Sequence, residues 1–167
     1  MSEDLLVFDV AEQHYGLPIG QVREVLPRAS VTSLAGCPAS LVGLLHLRGA
    51  LLPVVDLRER LGLAAVSPRI GQCIVVISRD VADIGFLVDA ARGLVTGESA
   101  AFSEVKRPAG GQILRRVAMA SGEVVAVLDA RAAIGAELEA FLPAVLTRAT
   151  EAPGDVAEPR NRPEDGS

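Results

Sequence analysis

Two aspartates stand at matching points of two related stretches, Asp56 in ALLPVVDLRERLG (Ala50 to Gly62) and Asp129 in EVVAVLDARAAIG (Glu123 to Gly135). A duplicated unit that brings one carboxylate from each copy to a shared proton is one route to hydrolysis. That chemistry wants the carboxylates close together among small neighbours. Here each aspartate opens a short helical pattern and is followed two residues later by an arginine, Arg58 or Arg131. An aspartate so placed accepts the free N–H groups of a first helical turn, and Glu59, three residues after Asp56, completes a capping-box-like pattern. Asp56 and Asp129 therefore read as structural caps, with hydrolysis as the remote alternative.

Other reactive side chains are sparse. His14 lies beside a turn with no cysteine or serine motif nearby, which fits a surface imidazole. His46 alternates with Leu45 and Leu47 and reads either as a hydrogen-bonded structural histidine or as one facing a groove. Cys37 and Cys73 form no CxxC and have no histidine at ligand spacing, so each reads as a small buried hydrophobe. No nucleophile elbow, phosphate loop, dinucleotide fingerprint or zinc-protease helix occurs. The pattern calls for no catalytic residue, cofactor or metal. Arg48, between two apolar runs, is either an interface anchor with a planar fork of donors or a solvated turn arginine. Val22 and Glu24 likewise suit an interface or an ordinary half-buried element.

The elements that position these residues are short. LLVFDV (Leu5 to Val10), a polar turn and YGLPI (Tyr15 to Ile19) predict a hairpin. QVREVL (Gln21 to Leu26) fits a helical turn or a strand, and periodicity does not separate the two. LVGLLHL and ALLPVV predict a second hairpin turning at Arg48-Gly49, because glycine accepts positive φ. Pro53 lacks a ladder donor, which predicts an edge or a bulge in that strand. A short helix, Leu57 to Leu61, then stops at Gly62.

This syntax recurs. The two aspartate stretches lie 73 residues apart, with Gly122 opposite Gly49. IGFLVDAARGLV (Ile84 to Val95) lies over YGLPIGQVREVL (Tyr15 to Leu26) at an offset of 69, and CIVVIS (Cys73 to Ser78) lies over DLLVFD (Asp4 to Asp9) at the same offset. Two copies of one β-rich unit follow, one lobe at about residues 5–62 and the other at about 73–135. Short strands punctuated by glycine and proline predict closed or nearly closed barrels, packed on each other because each alone is near the lower limit for a core. The fold class expected is mainly β. Leu138, Phe141, Leu142 and Val145 predict a C-terminal helix over about 136–146 that Pro143 ends or kinks. Residues 147–167 are acidic and proline-rich and read as a disordered tail.

Composition narrows the partners. The chain has 167 residues, half of them hydrophobic, a net charge of −5 and 3% aromatics. It has neither the basic stripe that neutralises phosphate nor the rings that stack bases, so no nucleic acid is expected. Apolar runs stop short of the roughly 20 residues of a membrane helix, and acids at the N-terminus argue against an export signal. A cytoplasmic protein that binds proteins or small molecules is expected.

The block GLLHLRGALLPVVDLR (Gly43 to Arg58), together with YGLPIGQVREVL, IGFLVDAARGLV and EVVAVLDARAAI, resembles the CheW-like coupling proteins of bacterial chemotaxis over about Leu5 to Leu142. The resemblance implies a CheW-like domain over residues 1–146, built as two packed five-stranded β-barrels with short helices, and a non-enzymatic scaffold. It implies as partners a histidine kinase regulatory domain and the cytoplasmic tip of a chemoreceptor, with array-type self or kinase-domain association, recruitment to membrane receptor arrays and no membrane insertion. By matching position, Val22, Glu24, Gly43 and Arg48 would contact partners, with Gly85 and Val88 supporting the groove between barrels. His46 stands where the family usually has asparagine, Ala35 where a proline is often seen, and Arg116 near a common glycine. A module of a pilus-motility or other chemosensory pathway that binds a single partner is the alternative.

Overall fold

The computed structural model describes residues 3–104 and 113–151. The chain forms β1 (Leu5–Val10), β2 (Gln13–Pro18), a 3-10 turn (Ile19–Gln21), β3 (Val22–Pro27), β4 (Leu41–Leu47), β5 (Ala50–Asp56) and α1 (Leu57–Arg60). There follow β6 (Cys73–Ile77), β7 (Ile84–Val88), β8 (Ala90–Val95), a 3-10 turn (Gly97–Ser99), β9 (Ala100–Glu104), β10 (Leu114–Ala120), β11 (Glu123–Leu128), α2 (Ala130–Ile134) and α3 (Ala136–Glu151). Residues 21–26, ambiguous by pattern, are mainly strand: β3 alternates half-buried and exposed positions.

The strands form a six-stranded sheet in the order β8-β1-β2-β11-β10-β9 and a five-stranded sheet in the order β3-β6-β7-β5-β4. The lobes are therefore not the successive halves 5–62 and 73–135. The β1–β2 hairpin sits in the sheet of β8 to β11, and the β6–β7 hairpin sits in that of β3 to β5. Replacing each strand by its repeat equivalent turns the order 3-6-7-5-4 into 8-1-2-11-10, the six-stranded sheet without β9. The two repeats have exchanged their first hairpins. The exchange is sealed by two parallel pairings, Val54↔Gly85 between β5 and β7 and Val127↔Gly16 between β11 and β2.

Both sheets roll up. Laid flat, β8 and β9 would be about 24 Å apart at ~4.8 Å per strand, but Val95 and Ala100 are joined by a link that spans at most about 18 Å even when fully extended. The five-stranded sheet closes by backbone: Thr32, in the segment leaving β3, donates to the Leu44 carbonyl at 2.8 Å and accepts from the Leu44 N–H at 2.9 Å. Pro53 is not on an edge, since β5 lies between β4 and β7. Its missing N–H is tolerated because the β7 ladder begins one residue later, at Val54.

Strand alternation sorts the apolar side chains into three cores. Leu5, Val7, Val125 and Val127 fill the six-stranded barrel, and Leu45, Leu52, Ile74 and Val76 fill the five-stranded one. The opposite faces meet in the largest core, where Phe8, Leu17, Val55, Phe86 and Leu128 pack with Leu57 of α1 and Ile134, Leu138 and Leu142 of the last two helices. Strands such as β1 are thus buried on both faces. Burial of each such side chain contributes about 1.5–3 kcal/mol, which is why neither barrel needs a large core of its own.

Pro143 neither ends nor visibly interrupts α3, which runs to Glu151. Leu142 and Val145, nearly inaccessible on either side of it, hold the helix against the barrels. Thr147 to Glu151, expected in the tail, are helical, and the rest of the expected tail, 152–167, lies outside the described residues.

Candidate partner-binding surface

Glu24 and Arg48 are brought together from the two outermost strands of the five-stranded barrel. Glu24 follows a register shift in β3 and stands opposite Val76 of β6. Arg48 opens the β4–β5 turn with φ of 48°, ahead of Gly49 at 81°, so both central residues take the left-handed conformation that matches strand twist. Its Nη1 and Nη2 donate to Glu24 Oε1 and Oε2 at 3.0 and 2.7 Å. The Arg48 side chain is 69% exposed and Glu24 23%. Hydrogen bonding to Glu24 raises the arginine pKa further above its ordinary value, so this cation is permanent. A planar, oriented guanidinium at a barrel mouth suits recognition of a carboxylate or a backbone carbonyl. Val22 is half-buried on the same strand.

Gly43, expected as a contact, and Gly85 and Val88, expected to support the groove, lie inside. Gly43 is buried, and a Cβ there would fall 2.4 Å from the Thr32 carbonyl oxygen. It is glycine because the barrel-closing backbone crosses it. Gly85 is also buried, with Ile74 Cγ2 2.5 Å and Leu52 Cδ2 3.2 Å from where a Cβ would be. Val88 is 1% exposed in the core between barrels. In this conformation Gly43, Gly85 and Val88 are buried and shape the surface from beneath. His46 is exposed, while its neighbours Leu45 and Leu47 face the five-stranded barrel's interior.

Both aspartates are occupied as helix caps. Asp56 accepts from the Arg58 N–H at 2.9 Å and Asp129 from the Ala132 N–H at 3.1 Å. Cys37 and Cys73 are free and pack against the core between barrels, and burial raises the Cys37 pKa. Among the described residues no group of three or more histidine, cysteine or acidic side chains is placed to hold a metal.

A partly buried charge network joins residues that are far apart in the sequence. Asp9, 6% exposed, accepts from Arg92 Nε at 2.5 Å and lies 2.6 Å from His14 Nδ1. His14 Nε2 lies 3.2 Å from Glu123. One turn away, Asp89 accepts from Arg58 Nη2 at 2.5 Å and from the Ala11 N–H at 2.7 Å. Burial alone would raise both carboxyls, but Arg92 and His14 hold Asp9, and Arg58 and the Ala11 N–H hold Asp89, below the ordinary carboxylate value. The network ties the β1–β2 hairpin to β8 and to α1 on the other barrel. The signal for it was an acid inside LLVFDV, a strand otherwise apolar on both faces.

The fold and this surface define a pseudo-symmetric double β-barrel whose charged groups serve as caps, barrel locks and a mouth-spanning ion pair, with no reactive constellation among the described residues. A family model described as the CheW-like domain matches residues 4–137, and the chain belongs to that family. It is 36% identical over 95 residues to the chemotaxis protein CheW of Rhizobium meliloti, a stretch covering 57% of this chain and 61% of that protein. It is 30% identical to the chemotaxis protein CheW of Bacillus subtilis over the same shares. The matched stretch thus spans about three fifths of these curated relatives. The crystal structure of the scaffolding protein CheW from Thermoanaerobacter tengcongensis superposes with a TM-score of 0.72 at 24% identity, covering 83% of this chain and 96% of that one. That likeness carries the fold.

Proposed function

We propose that this chain is a non-enzymatic adaptor that couples the cytoplasmic tips of chemoreceptors to the regulatory domain of a histidine kinase in a chemosensory pathway. The observation that carries the reading is the Glu24–Arg48 pair, an oriented and exposed guanidinium held across one barrel mouth. It sits on a double barrel whose paired aspartates are engaged in capping. Such a mouth offers a modest interface, and many copies engaged together supply the strength that one contact lacks.

A second surface supports a second partner. Leu94 on β8 stands opposite Leu6, on the face that packs between the barrels, yet is 65% exposed. Ile19, in the turn before β3, is 36% exposed. Exposed apolar side chains of this kind suit contact with one face of an amphipathic helix. No described helix is long and apolar enough to cross a membrane, which fits a cytoplasmic protein drawn to arrays by its partners.

Calorimetric titration of the purified chain with the kinase regulatory domain tests the reading. Saturable binding that Arg48→Ala weakens at least several-fold supports it; equal binding by both proteins removes Arg48 from the interface.

A further inference from the structure

The two barrels correspond strand for strand, but their mouths differ. In the five-stranded barrel Glu24 stands opposite Val76, an interior residue, and reaches Arg48 at the β4–β5 turn. The equivalent register in the six-stranded barrel sets Gly93 opposite Val7, also interior. The equivalent turn carries Ser121, whose φ of 51° matches the 48° of Arg48. Both members of the ion pair are therefore missing from this mouth. A Cβ added at Gly93 would meet nothing within 4 Å. The space is an open pocket of about 410 Å³, with apolar lining from Val7, Val95 and Val125 and a polar rim of Ser121, His14 and Glu123. Arg92 on the rim is committed to Asp9. The Glu123 carboxylate, 66% exposed, is the acidic group of this rim and lies 3.2 Å from His14 Nε2.

We propose that this mouth receives from another protein what the five-stranded barrel holds within itself: an arginine side chain presented on a tight turn. The methylene stem lies along the valines, and the guanidinium meets the Glu123 carboxylate. The argument rests on charge complementarity and on the internal precedent of Arg48, whose guanidinium spans the equivalent mouth. It leans on the adaptor reading only in taking the source of the arginine to be a protein.

The test uses the full chain, isotopically labelled, titrated with an acetylated and amidated Leu-Arg-Gly-Ala peptide and with its Leu-Gln-Gly-Ala counterpart. The expected result is saturable movement of the Gly93, Val95, Ser121 and Gly122 amide signals by the arginine peptide alone, with Kd of about 1 mM or weaker. Glu123→Gln should raise that Kd about two- to five-fold. Ser121→Arg should abolish the movement while leaving Tm nearly unchanged, because Arg48 shows that the turn accepts arginine at this φ. Equal shifts by both peptides, shifts centred on the Glu24 mouth, or undiminished binding by Ser121→Arg would overturn the proposal. Self-association that Arg48→Ala abolishes would place a second copy of the chain in the mouth and overturn its assignment to a different protein. Failure of the peptide titration leaves kinase binding, measured separately, untouched.

Discussion

Glu24 and Arg48, 24 residues apart, join the two outermost strands of one barrel through a fork of two hydrogen bonds, one from each terminal nitrogen of the guanidinium. The pair does two jobs at once: it spans the mouth and it fixes the direction of an exposed cation. Exposed ion pairs add little to stability, so the second job is the one selection can see. Arg48→Ala should shift Tm by less than about 3 °C in calorimetry while weakening kinase-domain binding. A Tm drop several times larger would make the residue structural.

Gly43 and Gly85 separate support from contact. Alanine at Gly43 must displace the Thr32 backbone that closes the barrel, and alanine at Gly85 must displace Ile74 and Leu52 in its interior. Each should lower unfolding free energy by about 1–3 kcal/mol in urea titrations. Partner binding should fall only as far as the folded fraction falls. Full stability with lost binding would return these glycines to the interface.

The caps answer the hydrolytic alternative. Asp56→Asn and Asp129→Asn should each cost only a few tenths of a kcal/mol, whereas Asp56→Ala should cost about 0.5–2 kcal/mol, because asparagine caps nearly as well as aspartate and alanine does not. Thermal unfolding of these three single variants reads this directly. Loss of a measurable hydrolytic turnover in either asparagine variant, with stability intact, would revive catalysis.

Acid should loosen the barrel locks. Asp9 and Asp89 titrate below their ordinary value of 3.8 in the folded chain. Their contribution is therefore complete above that value and is lost as pH falls through it toward the folded pKa values. Chemical denaturation at stepped pH should show stability declining below about pH 5. Asp9→Asn should flatten part of that decline; an unchanged slope would mean that Arg92 and His14 do not stabilise the carboxylate.

Much of the architecture is local and was legible. The Asp56 cap and the Arg48-Gly49 turn follow from side-chain chemistry within a few residues, and the internal repeat from matching such stretches along the chain. What was hidden is long-range. Alternation says which face of β1 is apolar but not that its neighbour is β8 of the other repeat, so the hairpin exchange had no signature in either half. The Arg92 partner of Asp9 lies 83 residues away. Gly43 was placed by its position in a motif, and position alone does not reveal that the Thr32 backbone crosses it. Helix propensity at Pro143 is outweighed by the burial of Leu138, Leu142 and Val145 against the barrels.

Sedimentation of assembled receptor signalling tips, with the kinase regulatory domain added in the presence and absence of this chain, tests the coupling claim most directly. The chain should bring the kinase domain into the pellet, and Arg48→Ala should lose the kinase domain while itself remaining with the receptors. Capture of one partner alone by the unaltered chain would contradict the account.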